Sequence, residues 1–141
     1  MKVEPITIKV SELVENYEDK SEEGVRGYRG RLNIRPAYQR EFIYGDKQRN
    51  EVINTVRKGF PLNTMYWAVA GEGFELMDGQ QRTMSICKYV HGDFSVEIDG
   101  SPMFFHNLTA ERKKQILNYQ LTIYVCDGSE SEKLDWFKII N

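Results

Sequence analysis

An α+β fold, a small mixed sheet with helices packed around it, is what the sequence predicts, and three observations carry it. Short alternating apolar runs recur near residues 6–10, 64–69, 74–78 and 120–126, the period of half-buried strands. Between them lie segments whose apolar residues return every three or four positions, bounded by capping residues. The 141 residues, 40% hydrophobic and 12% aromatic, suffice for one ordered core, so a single domain over 1–141 is expected.

Charge and composition exclude several classes. A net charge of -2 supplies no overall attraction to nucleic acid or to an anionic membrane, so any such contact needs a local patch. Cys87 and Cys126 are far apart in apolar surroundings and read as buried thiols of a reducing cytoplasm. His91 and His106 are isolated and no CxxC pair exists, so no metal-ligand set is read. The N-terminus has no signal-peptide core, and no apolar run is long enough to span a bilayer. A soluble cytoplasmic protein is the expectation.

Ile6, Ile8 and Val10 alternate with Thr7 and Lys9 as a strand, after which Ser11 reads as the cap of a short helix. Residues 18–31 are charged and carry Gly24, Gly27 and Gly30, which predicts a mobile loop. Pro36 then imposes extended geometry on Arg35, so Leu32–Arg40 is not a long helix. Asp46 reads as the cap of a helix from Lys47 to about Lys58, with Val52, Ile53 and Val56 inward and Gly59 as its stop. Thr64–Val69 and Phe74–Met77 form a hairpin across Ala70-Gly71-Glu72-Gly73. A second hairpin turns at Asp99-Gly100 and reads as a surface projection. Thr109 caps a helix bearing Ile116 and Leu117, Leu121–Cys126 is a strand, and Ser129 or Ser131 caps a last helix. That helix carries Leu134, Trp136, Phe137, Ile139 and Ile140, a face for a partner or for further chain beyond Asn141.

The chemistry concentrates at Asp78-Gly79-Gln80-Gln81-Arg82, between the second strand of the first hairpin and a helix marked by Met84, Ile86, Cys87 and Val90. A strand-to-helix junction presents free backbone N–H groups and the positive end of a helix dipole, which suits an anion. Gly79 permits a sharp turn and close backbone approach. Arg82 offers a planar cationic fork that matches phosphate. A charged turn with an ordinary helix start accounts for the same residues, and the motif alone leaves both readings open. Arg31, Arg35 and Arg40 add cationic side chains that a common ligand could use.

An ordered set of motifs goes further. Pro36-Ala37-Tyr38-Gln39-Arg40 is followed by Phe42-Ile43-Tyr44, then Gly59-Phe60-Pro61-Leu62, then Asp78–Thr83. His91-Gly92-Asp93-Phe94, the helix Arg112–Tyr119 and Phe137–Asn141 continue in order. Together they resemble the DGQQR-containing N-terminal domain of GmrSD-type modification-dependent restriction systems, a prokaryotic family of ParB/sulfiredoxin-like fold. The likeness runs from about Asn33 to Asn141, with Tyr44 where many relatives have Trp.

That resemblance implies a nucleotide-binding regulatory domain of a phage-defence system acting on DNA. It implies that Gln39, Arg40, Asp78, Gly79, Gln80, Gln81, Arg82 and Thr83 form the nucleotide site. Asp78 and Gln81 take the catalytic positions if the NTP is hydrolysed, Asp78 holding Mg²⁺ or a base and Gln80 or Gln81 orienting water. The HNH-type nuclease domain of two-domain relatives is absent from these residues, so it is expected in a following domain or a separate subunit. Cleavage of DNA by this chain alone is not expected. The alternative is a ParB-like DNA-binding module in which Arg31, Arg35 and Arg49 contact the phosphate backbone. A scaffold with a degenerate site is the bland reading, and the intact motif speaks against it. Homo-oligomerisation is compatible with all three.

Overall fold

The computed structural model describes residues 1–36 and 45–140. In chain order the elements are β1 (Lys2–Lys9), α1 (Val10–Val14), β2 (Glu18–Asp19), β3 (Val25–Gly27), β4 (Leu32–Asn33), α2 (Asp46–Arg57), β5 (Met65–Ala70), β6 (Gly73–Asp78), α3 (Gln80–His91), β7 (Val96–Ile98), β8 (Ser101–Met103), α4 (Ala110–Leu117), β9 (Gln120–Asp127) and α5 (Glu130–Ile140). Among the described residues these make an α+β fold with a seven-stranded mixed sheet, ordered β1-β9-β5-β6-β4-β3-β2, and a separate β7-β8 pair. The four strands expected from alternation, β1, β9, β5 and β6, lie side by side. β1 pairs antiparallel with β9, β9 parallel with β5, and β5 antiparallel with β6.

Alternation along a strand sends neighbours to opposite faces. On one face Trp67, Leu76, Leu32 and Ile123 are wholly buried in a core shared with Leu13 of α1, Ile53 of α2, Ile86 of α3 and Ile116 of α4. On the other, α5 lies over Tyr66 through Trp136, and the ammonium of Lys133 donates to the Val69 carbonyl at 3.3 Å. The sheet is thus covered on two faces, with the large apolar core on one.

Several local expectations change. Residues 18–31 are not a plain loop: they hold β2, a single 3-10 turn at Ser21–Glu23, and β3, which extend the sheet through β4. Gly27 explains the tight course there, since a Cβ would meet the Leu13 carbonyl oxygen at 2.8 Å. Ser11 is inside α1; Lys9 is its N-cap, and the Glu12 carboxylate accepts from the Lys9 N–H at 3.0 Å. Asp46 is the first residue of α2 and Gly45 its cap, so the carboxylate favours the helix dipole without capping. The second hairpin is not a free projection. Phe94, Val96 and Ile98 are buried, and the Tyr89 hydroxyl donates to the Met103 carbonyl at 3.1 Å.

Other expectations hold. Asp99 and Gly100 both have positive φ, as the hairpin turn requires. Thr109 caps α4 by accepting from the Arg112 N–H at 3.3 Å. Ser129 and Glu132 cap α5 reciprocally, at 3.2 and 2.9 Å. On α5, Lys133 is buried, and Leu134 and Ile139 face solvent. Lys133 fits inside because Glu130 neutralises its ammonium at 2.6 Å.

Candidate functional site

The β5–β6 hairpin and α3 build the Asp78–Arg82 junction. The antiparallel register pairs Trp67 with Leu76 and Tyr66 with Asp78, so an irregularity falls between Tyr66 and Trp67. Such a bulge re-aims the side chains that follow it. It places Asp78, one-third exposed, at the rim of the sheet opposite Tyr66.

The chain then reverses at Gly79, the N-cap of α3, with φ 102° and ψ 21°. That left-handed geometry favours glycine. Packing demands it as well, because a Cβ would lie 2.5 Å from Cγ of Met65. With no side chain at the cap, the first N–H groups of α3 receive no side-chain capping bond. The first turn carries no acidic residue. The first intrahelical bond closes from Thr83 N–H to the Gly79 carbonyl at 2.9 Å. The positive end of the α3 dipole therefore lies at Gly79, which is itself buried, with Gln80 and Gln81 half-buried beside it.

Arg82 is turned inward. Its side chain is 14% exposed, and its guanidinium donates to the carbonyls of Asn63 and Thr64 and, at 3.4 Å, to the Asp78 carboxylate. It ties the start of α3 to the residues leading into β5. Thr83 is fully buried, with its hydroxyl on Sδ of Met65 at 3.1 Å. Gln80 and Gln81 are half-buried in the first turn, and the Gln81 carbonyl accepts from the Ser85 hydroxyl at 2.7 Å. Asp78, Gly79, Gln80, Gln81 and Arg82 therefore share one junction. Gln39 and Arg40 fall outside the described residues.

Arg31, Arg35 and Arg49 do not join that junction. Arg31 donates to the Glu72 carbonyl at 3.5 Å, beside the first residue of β6. Asp78 is five residue steps along the strand from Gly73, about 17 Å at the usual rise. The Arg49 guanidinium lies 3.8 Å from the centre of the Phe94 ring, just past the C-terminal end of α3. Arg35 donates to the Ser21 carbonyl, and Ser21 lines a cavity with His91 and Asp93 at that same end. α3 has twelve residues, about 18 Å of helix, between these groups and Gly79. The expected common cationic site is thus divided.

Four neighbours of the junction were not singled out by the motif. Met65 packs beneath Gly79, the Asn63 and Thr64 carbonyls hold Arg82, and Tyr66 is the cross-strand partner of Asp78. Only Tyr66 had a sequence signal, the alternation of Thr64–Val69 that turns it from the core. Elsewhere, burial pushes the Cys87 and Cys126 thiols up from their ordinary range, as their apolar surroundings require. No described helix is long and apolar enough to cross a membrane.

Comparison with curated proteins and with solved structures returns no match. The family model of the GmrSD restriction endonuclease, N-terminal domain, matches residues 10–141. That span takes in every strand of the sheet but β1, together with α3 and the whole Asp78–Arg82 junction, and the chain belongs to this family of restriction endonuclease N-terminal domains.

Proposed function

We propose that this domain binds a nucleoside triphosphate at the β6–α3 junction and so regulates a modification-dependent DNA restriction system. The observation that carries the reading is the start of α3: a left-handed Gly79 without a capping side chain, opening a helix whose first turn has no acid. Phosphate oxygens accept from the N–H groups of Gln80 and Gln81, aided by the dipole. Asp78 is the one carboxylate of the DGQQR segment. A single carboxylate together with phosphate oxygens and water is a sufficient donor set for Mg²⁺. The Gln80 or Gln81 amide orients water if the phosphate is hydrolysed. Arg82 supports this site by holding Asp78 and the Asn63–Thr64 carbonyls, with Gln39 and Arg40 as further phosphate contacts. DNA cleavage then belongs to a nuclease domain or subunit.

Titration of the protein with ATP, GTP, CTP and UTP, each with and without Mg²⁺, tests the reading. Saturable binding of at least one triphosphate is expected. Failure of all four at millimolar concentration would sink it.

A second reading, direct contact with the DNA backbone, draws on one observation: Arg31 is exposed beside Arg26 on an open cavity of about 520 Å³ away from the junction. Arg35 and Arg49 would extend that contact. Backbone binding weakens steeply with salt. A mobility-shift series that shows no complex even at low salt removes it.

A further inference from the structure

Three neighbouring strands set polar side chains in one row. Arg26 of β3 is the register partner of Asn33 of β4, and Asn33 is the partner of Glu75 of β6. Register partners share a face of the sheet. It is the face that α5 packs on, because the Glu75 carboxylate lies 4.0 Å from the Lys133 ammonium. Together with Arg31 of the β3–β4 turn and Glu72 of the β5–β6 hairpin, the row lines an open cavity of about 520 Å³.

Arg31 is set in place before any ligand arrives. Its turn runs through positive φ at Tyr28, Arg29 and Gly30, of 51°, 61° and 79°. Left-handed backbone at two non-glycine residues persists only where neighbours over-determine it. The Tyr28 N–H donates to the Leu13 carbonyl at 2.7 Å and the Arg29 N–H to the Glu15 carbonyl at 2.9 Å. The Arg31 carbonyl accepts from the Phe74 N–H at 2.8 Å. Its guanidinium lies over the rings of Phe74 and Tyr28, 5.2 and 5.8 Å from their centres. A side chain ordered in advance loses less freedom on binding.

Partners set the two cavity arginines apart from others. Arg29, Arg49, Arg82 and Arg112 each have a carboxylate at 2.7–3.7 Å. Arg26 and Arg31 have none among the described residues, although Glu72 and Glu75 line the same cavity. Their contacts are long ones to the Gly30 and Glu72 carbonyls, at 3.3 and 3.5 Å. Two guanidinium forks without a counterion suit a phosphate. A duplex is too broad to enter a cavity of this volume, whereas a terminal phosphate enters and carries nearly two charges.

We propose that this cavity binds a terminal phosphate, on a small ligand or at the end of a nucleic-acid strand; it rests on the second reading above for the place and departs from it in the ligand. Glu72 is the charge that opposes such a ligand.

The test titrates methyl phosphate, a terminal phosphate, and dimethyl phosphate, a diester, into isotope-labelled protein and follows the amide NMR shifts. Methyl phosphate should shift Gly30, Asn33 and Gly73 and bind more tightly than the diester. Arg26→Ala and Arg31→Ala should each weaken it about tenfold, and Glu72→Gln should strengthen it. Arg26 is exposed, so its variant decides even where Arg31→Ala disturbs the turn. Shifts confined to Gln80–Arg82, equal affinity for the two esters, or weaker binding by Glu72→Gln overturns the proposal. An oligonucleotide bound more tightly with a 5′-phosphate than with a 5′-hydroxyl assigns the site to a strand end; no such gain assigns it to a small ligand. Methyl phosphate bound without any DNA complex removes the backbone reading alone. DNA bound without methyl phosphate binding overturns the proposal and leaves that reading standing.

Discussion

Gly79 rests directly on Met65: a Cβ at position 79 would fall 2.5 Å from Met65 Cγ and 3.0 Å from its sulfur. Met65 cannot easily give way, being 1% exposed with its sulfur accepting from Thr83. Gly79→Ala therefore combines overpacking with an unfavourable left-handed φ. A loss of about 2–4 kcal/mol is expected, read as a lower urea midpoint with unchanged slope. A midpoint equal to that of the parent protein would show that Met65 does not constrain this turn.

Arg82 and Asp78 touch, yet they should contribute unequally. Arg82 is mostly buried and holds two backbone carbonyls, so Arg82→Ala should cost about 1.5–3 kcal/mol. Asp78 is a third exposed and its contact with Arg82 is 3.4 Å, so Asp78→Asn should cost no more than about 1 kcal/mol. Chemical denaturation of the two variants checks the ranking. Equal losses would mean that the ion pair, and not the carbonyl contacts, carries the role of Arg82.

Gln80→Glu separates stability from ligand binding. A carboxylate at the first position of α3 interacts favourably with the helix dipole, by about 0.3–1 kcal/mol at low salt. The same charge repels phosphate at the same N–H groups. The variant should melt slightly higher than the parent and bind triphosphate more weakly. Higher stability with undiminished binding would move the phosphates away from this helix.

Much of the fold was legible because period-2 and period-3.6 patterns are long in β1, β5, β9 and α3. β2, β3 and β4 have two or three residues each, too short for any period to show. Their pairing is fixed by tertiary neighbours such as Leu13, which excludes a side chain at Gly27. In α5, Leu134 and Ile139 of the apolar face lie in solvent, and the burial of Lys133 had no sequence signal because it depends on pairing with Glu130. At the junction, residue types and Gly79 were readable from the motif. The inward turn of Arg82 was not, because its carbonyl partners lie 18 and 19 residues earlier in the chain.

Alkaline pH should destabilise the protein. Cys87 is fully buried, and burial alone raises its thiol pKa. An unfolded thiol ionises near about pH 8.5, so above that value the unfolded chain releases a proton that the folded chain keeps. This contribution is complete below about pH 8.5 and is lost as pH rises, by up to roughly 1.4 kcal/mol per unit. Cys126, raised by burial, and Tyr17 and Tyr89, raised chiefly by burial, act in the same direction, the tyrosines from about pH 10. Urea midpoints across pH 7–10 should fall for the parent and fall less steeply for Cys87→Ala. Parallel profiles would place the loss elsewhere.

The central claim concerns where the phosphates sit, and a crystal structure with a bound triphosphate and Mg²⁺ tests it most directly. Phosphate oxygens about 2.7–3.2 Å from the backbone nitrogens of Gln80 and Gln81, beside Asp78, are the expected result. Phosphates held by Arg31, Arg35 or Arg49, with the start of α3 in contact with solvent, would contradict it.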